Sequence, residues 1–332
     1  MPKYLVTGGL GFIGSHLVEL LLKQKHNVIV LDNLSTGRKS NLDDVGESAL
    51  LEVVEGDVRD YELVKKTIKG CDYVFHLAAL ADIVPSITNP REYFSSNVQG
   101  TLTLMEAARG EGIKKLVYTA SSSCYGIPKN YPTSETAEIN PQYPYALTKW
   151  IGEQTALHWG QVYKIPVISL RLFNVYGPRS RTSGTYGAVF GVFLAQKLNG
   201  APLTIIGDGT QTRDFTYVTD VADSFVAVSN SEYKNMVFNV GSGHTYSVLQ
   251  LAQLLGGKII NIPKRPGEPD CTFADIRKIR RLISWSPKIS FEEGVEQMLS
   301  NIEYWKDAPV WNPESIGKVT KEWFSLLGDS ND

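Results

Sequence analysis

The 332-residue sequence predicts a doubly wound α/β fold with a smaller second lobe built over it. Three observations carry that reading: short β-rich runs alternate with helical patterns, the runs are apolar throughout, and the rhythm breaks up after about Gly177. The length exceeds that of a usual single domain, so one large α/β domain or a large plus a small one is expected.

Strands are expected at Tyr4 to Thr7, Val28 to Asp32, Leu51 to Glu55, Tyr73 to Leu77, Leu116 to Ala120 and Val167 to Leu172. A run without polar alternation reads as a strand buried on both faces, the condition of a parallel sheet. Between them, helical spacing appears at Ile13 to Lys23, Tyr61 to Ile68, Arg91 to Arg109 and Tyr145 to Tyr163. Residues 1–177 therefore form the sheet domain, with segments from about 215–245 returning to it, and 178–332 mainly form the second lobe. That lobe opens on the loops "PRSRTSGTYG" and "GDGTQTRD". Beyond Trp305, apolar residues Ile316, Val319, Trp323, Phe324 and Leu327 fall at helical spacing and predict a docking helix.

Composition limits the partners. Thirty-three basic residues against 35 acidic ones give a net charge of −2, with no excess favouring nucleic acid or an anionic membrane. Cys71, Cys124 and Cys271 are far apart and match no metal-ligand spacing, so no metal is expected. No apolar run approaches the roughly 20 residues of a membrane span, and the first strand leaves no room for a leader. A soluble, cytoplasmic protein is the expectation.

The first motif with chemistry is Thr7-Gly8-Gly9-Leu10-Gly11-Phe12-Ile13-Gly14, between the first strand and its helix. Glycines there let backbone amides approach a pyrophosphate at a helix N-terminus, where the dipole favours negative charge. Asp32 ends the next strand 18 residues after Gly14, where a carboxylate accepts hydrogen bonds from an adenosine ribose. A 2′-phosphate would be repelled, so NAD is favoured over NADP, with Arg38 nearby as the contrary sign. This is the signature of a Rossmann-type nucleotide-binding sheet. Asp57, in "GDVRD", either reaches the adenine edge or caps a turn. The second motif is Tyr145-Ala146-Leu147-Thr148-Lys149, preceded by Pro144. Tyrosine and lysine four apart share a helix face, so the ammonium is expected to lower the phenol's pKa and make a base available.

These motifs resemble the extended short-chain dehydrogenase/reductase family, most closely its UDP-hexose 4-epimerase branch. The matching stretches run in order from "TGGLGFIGSH" through "LDNLSTG", "GDVRD", "HLAA", "NVQGT", "SSSCYG", "YALTK", "LRLFNVYGP" and "GDGTQTRDFTYVTDVA" to "RPGEPDCTFADI". The resemblance implies a catalytic hydroxyl at Ser121, four before Tyr125, beside Tyr145 and Lys149. It implies cofactor contacts at Gly8, Gly11, Phe12, Ile13, Gly14, Asp32, Asn33, Ser35, Thr36, Gly37, Asp57, Val58, Leu77, Ala78, Ala79 and Asn97, as well as at Tyr145 and Lys149. His76 is either a plain strand residue or part of that set. Dehydratases of the family carry an Asp-Glu pair after the serine and decarboxylases a glutamate. Here Ser122 and Ser123 stand instead, which leaves epimerisation through a transient 4-keto sugar, with NAD regenerated in each turnover.

The same resemblance carries sugar-nucleotide contacts to Asn174, Arg213, Arg265 and Glu268, with Ser122 and Ser123 beside the sugar. Thr272 lies where a small residue admits an N-acetyl group at C2. Asp82 stands near the sugar, where it weakly disfavours a C6 carboxylate, or caps the following helix. The expected substrates are UDP-GlcNAc and UDP-GalNAc, with UDP-glucose and UDP-galactose as well. A homodimer is implied through a four-helix bundle of the 91–109 and 145–163 helices, lined by Leu104, Ala108, Ile151 and Ala156. A dehydratase or decarboxylase on the same scaffold, and a non-catalytic NAD-binding protein, are the alternatives.

Overall fold

The computed structural model describes residues 1–180 and 188–327. Residues 181–187, within the first loop of the second lobe, lie outside the described set. Seven parallel strands form the central sheet. They are β1 (Lys3–Thr7), β2 (Asn27–Asp32), β3 (Leu51–Glu55), β4 (Tyr73–His76), β5 (Lys115–Ser121), β6 (Val167–Leu172) and the strand Met236–Val240. Their spatial order is β3, β2, β1, β4, β5, β6 and then Met236–Val240, so the chain reverses direction between β1 and β4. Ligands of open parallel sheets bind at such a switch point, outside the carboxyl ends of the strands.

The continuous apolar runs are explained by burial on both faces: Leu5, Val6, Val74, Phe75, Leu116 and Val117 are fully inaccessible. Each contributes about 2 kcal/mol relative to exposure. The exception is β3, whose residues are half-buried or exposed, with Val53 43 % exposed, because it forms the sheet's edge. The seventh strand escaped the sequence reading. Its register, Phe238 opposite Leu170 and Asn239 opposite Arg171, makes it the far edge.

Helix α1 (Phe12–Lys23) and helix α2 (Tyr61–Ile68) match the expected spans closely. After the short α3 (Ile83–Thr88), the expected 91–109 helix runs without a break as α4 (Pro90–Tyr93), a wide π-type segment Phe94–Gln99, and α5 (Gly100–Ala107). Thr101 Oγ1, in α5, donates to the Asn97 carbonyl of the wide segment at 2.6 Å, and such wide turns recur at functional sites. Helix α6 (Pro144–Tyr163) starts with proline in its first turn, where a missing N–H costs nothing.

One further correction concerns the proposed bundle. Leu104, Ala108 and Ala156 are buried against the subunit's own sheet, and only Ile151 of the four is partly exposed. Apolar surface on these helices lies instead at Phe94, Val162 and Tyr163.

The second lobe has its own core, centred on stacked rings: Tyr176 on Phe190 at 4.4 Å, Phe215 on Phe291 at 5.3 Å and Tyr246 on Phe291 at 4.2 Å. The predicted tail helix is present at Pro313–Leu327, with Ile316, Thr320 and Trp323 buried. Among the described residues, no helix is long and apolar enough to cross a membrane, and no acidic, His and Cys cluster could hold a metal.

Candidate active site

The strand ends converge on a cavity at the switch point. Gly8, Gly11, Phe12, Ile13, Gly14, Asp32, Asn33, Ser35, Thr36, Asp57, Val58, Leu77, Ala78 and Ala79 all line it. The glycine turn is forced by contact as well as by conformation. Gly8 has φ +71°, and a Cβ on Gly14 would lie 2.1 Å from the Gly8 carbonyl oxygen. Asp32, 7 % exposed, accepts from the Leu10 and Leu34 N–H groups at 3.0 and 2.9 Å, which fixes the turn to the end of β2. Burial pushes its pKa up against those two bonds. Gly37 backs onto the same carboxylate.

Asp57 lines the cavity but spends its carboxylate on Arg59 and Asn33, and the Arg59 guanidinium holds its pKa at about 2. Asn97 does not line the cavity. Its amide is tied to Leu80, through N–H and C=O at 2.7 and 3.0 Å, and to Thr148 at 3.0 Å, one residue before Lys149. It ties the 80–82 loop to α6. His76 is a buried strand residue bridging Thr7 at 2.7 Å and Thr101 at 3.0 Å, and burial pushes it down to about 3. Burial thus favours its neutral form.

Two buried polar atoms on the cavity wall, Thr119 Oγ1 and Arg179 Nη1, have no protein partner among the described residues. Together with the glycine cradle they fit a dinucleotide, whose own acceptors would complete them.

Tyr145 is half-buried at the first turn of α6, its ring stacked near Tyr143 at 6.5 Å and edge-on to Tyr93 at 6.5 Å. Burial raises its pKa above the ordinary 10.0, the Ser121 hydroxyl bonded to it lowers it, and the Asp82 charge raises it. Burial and the Asp82 charge thus oppose the phenolate that the sequence leads one to expect beside Lys149. Lys149 is buried, its Nζ sits 4.7 Å from the Tyr118 ring centre, and burial depresses its own pKa to about 7, partly offset by Glu153. Ser121 is the group that favours the phenolate. It also caps the turn Ser122–Tyr125, accepting from the Ser123 N–H at 3.2 Å and sharing a 2.8 Å bond with the Ser123 hydroxyl.

Helix α6 is held in place further along by the buried pair Glu153 and Arg171, joined by two bonds of 2.5 and 2.9 Å, with Ser169 donating to Glu153 at 2.8 Å. Removing one partner of such a pair costs about 3–5 kcal/mol.

Asp82 marks where the switch-point cavity meets a second one. The second cavity is lined by Asp82, Asn174, Arg213, Arg265 and Glu268, and Asp82 lines both. Its φ of +93° is costly for a non-glycine residue. Tyr93 donates to the Ala81 carbonyl at 2.7 Å and Asn97 clamps Leu80, which together hold that conformation. The side chain does not cap α3. Glu268 lies between Arg265 at 2.9 Å and Arg213 at 3.7 Å. Thr272 stands one step back, donating to Asn174 Oδ1 at 2.7 Å and accepting from the Asp214 N–H at 3.1 Å. Ser122 is half-buried beside the Ser121 turn.

Sequence reasoning missed Tyr304, Trp311 and Trp323, which also wall these cavities. Helical spacing marked the last of them as buried but gave no hint of what it covers.

The profile of the NAD-dependent epimerase/dehydratase family matches residues 4–241. A putative UDP-glucose 4-epimerase of Methanocaldococcus jannaschii is 37 % identical over 304 residues, 89 % of this chain and 97 % of that relative. The solved UDP-N-acetylglucosamine 4-epimerase of Methanobrevibacter ruminantium, bound to UDP-N-acetylmuramic acid, is 34 % identical with a TM-score of 0.84, covering 90 % of this chain and 99 % of that one. The UDP-glucuronic acid 4-epimerase of Bacillus cereus, solved with UDP-glucuronic acid and NAD, is 32 % identical with a TM-score of 0.85, covering 91 % and 99 %. With its Rossmann sheet, its glycine cradle and the extent of these matches, the chain belongs to the NAD-dependent epimerase/dehydratase family.

Proposed function

We propose that the protein inverts C4 of a UDP-N-acetylhexosamine, interconverting the glucosamine and galactosamine forms, with the UDP-glucose and UDP-galactose pair as slower substrates. In class it is an isomerase, a UDP-sugar 4-epimerase that works with NAD. The observation that carries the reading is the Ser121 and Tyr145 hydroxyl pair, with the charge of Asp82 acting on the phenol and Ser122 and Ser123 following rather than an acid. A dehydration across C5 and C6 needs its own acid and base, and serine is neither at neutral pH.

The chemistry that NAD supplies when bound is the reversible uptake of the C4 hydride. Gly8, Gly14 and Asp32 with their neighbours in the cradle would hold it. Tyr145 takes the proton from the sugar 4-hydroxyl, and Ser121 hydrogen-bonds that oxygen and relays the proton. Lys149 fixes the cofactor side of α6. Arg213, Arg265 and Glu268 anchor the diphosphate and nucleoside ribose while the 4-keto sugar turns over. The lobe formed mainly by 178–332 thus holds the sugar nucleotide against the NAD-binding domain, 1–177 with its returning segments. Thr272, through Asn174, leaves space beside C2, and Asp82 disfavours a carboxylate at C6.

NMR rates on UDP-GlcNAc, UDP-glucose and UDP-glucuronic acid test this: the first should be fastest and the last slowest. Thr272→Tyr should cost the acetylated sugar more activity than the plain hexose. A wild type fastest on the uronic acid contradicts the substrate assignment. The exposed Phe94, Val162 and Tyr163 support a homodimer through the outer faces of α6 and the helical stretch ending in α5. A monomer by light scattering at micromolar concentration would refute it.

A further inference from the structure

The second cavity is walled on one side by a loop with little structure of its own. Lys264–Pro269 forms no strand or helix, yet carries Arg265 and Glu268. What holds it comes from the other end of the chain. Trp323, only 2 % exposed, lines the cavity with Arg265 and Glu268, and its ring centre lies 5.5 Å from the Arg265 guanidinium carbon. Its indole Nε1 donates to the Pro266 carbonyl at 3.0 Å. Leu327, four residues on and so on the same helix face, comes within 4.0 Å of where a Cβ of Gly267 would stand. The same helix, Pro313–Leu327, packs against α3, the helix that follows Asp82. It therefore touches both sides of the cavity at once.

We propose that Trp323 is a positioning residue for the Arg265 and Glu268 pair, and through it sets the affinity for the sugar nucleotide's diphosphate and ribose. The inference rests on the assignment of those two residues made above. An arginine next to a glutamate has two competing partners once a diphosphate arrives. A flat aromatic face holds the guanidinium plane without itself consuming an N–H donor, so the arginine can turn from Glu268 to phosphate. The indole N–H bond to Pro266 fixes the backbone from which that side chain springs. Phenylalanine lacks the donor, and tyrosine places its hydroxyl elsewhere.

Steady-state kinetics on the full chain, with bound NAD and melting temperature measured for each variant, decide the matter. Trp323→Ala should raise the KM for UDP-GlcNAc about tenfold while kcat stays within about twofold and bound NAD is unchanged. Trp323→Phe, which keeps the ring but not the donor, should fall between the two. Arg265→Ala should raise KM at least as much. The double variant should then be no worse than Arg265→Ala alone, because both act through one contact. Additive effects, or a wild-type KM in Trp323→Ala beside a raised KM in Arg265→Ala, overturn the positioning role. A wild-type KM in Arg265→Ala overturns instead the underlying assignment of the loop. Should the alanine variant fail to fold, the phenylalanine variant decides: a KM equal to the wild type's then contradicts the role.

Discussion

The two cavities that meet at Asp82 are made of different materials. On the nucleotide side, the groups a ligand would meet are largely backbone at the ends of parallel strands. They are set by the tight packing of Gly8 on Ala78, at 2.7 Å for a built Cβ, and by Asp32 gripping the Leu10 amide. On the sugar side they are side chains on loops far apart in sequence, Asp82, Arg213, Arg265 and Glu268, balanced by ion pairs of 2.9 and 3.7 Å. A backbone cradle either keeps its shape or loses it. A set of paired side chains can be retuned one contact at a time, which is how one scaffold serves several sugars.

That contrast predicts a hierarchy of damage. The largest effect should come from Gly14→Ala, since a methyl group 2.1 Å from the Gly8 carbonyl forces the turn apart. The variant should purify without bound nucleotide and with no measurable turnover. Denaturing it and assaying the supernatant for NAD checks this, and full retention of NAD would break the distinction drawn here.

In the hydroxyl pair, Tyr145→Phe should lower turnover by about 10³-fold or more with little change in sugar-nucleotide affinity, whereas Ser121→Ala should cost about 10²-fold. The two should also differ in pH dependence. A buried phenol held above its ordinary value acts as a base only as pH rises, and Ser121 is the group that lowers it. Removing that hydroxyl should shift the rising limb of the rate profile to higher pH. An unshifted limb would mean that Ser121 acts by contact with the sugar alone.

The same contrast explains what the sequence disclosed. The cradle was legible because it is local: strand, glycines and carboxylate follow one another within β1, α1 and β2, so every cofactor residue in that stretch reached the cavity or its rim. Asn97 could not be read in the same way. Its position within a helical pattern gives no sign that its amide would turn inward to lock Leu80 and Thr148. The spacing of Tyr145 and Lys149 shows that they share a helix face but gives no sign that burial depresses the lysine's own pKa to about 7. Bundle positions Leu104, Ala108 and Ala156 failed for a related reason, since an apolar helix residue faces its own sheet before it faces a partner. Trp323 was visible as apolar periodicity, but its partner Arg265 lies 58 residues earlier. Nothing in local pattern links the two.

The central claim is that Ser121 and Tyr145 carry one reversible exchange at C4 and nothing else. Proton NMR of the purified protein, with no cofactor added, incubated separately with UDP-GlcNAc and UDP-GalNAc, tests it most directly. Both reactions should approach the same mixture of the two sugars, with no third sugar nucleotide formed. Accumulation of a 4-keto-6-deoxy sugar, or no interconversion by a protein that holds NAD, would contradict it.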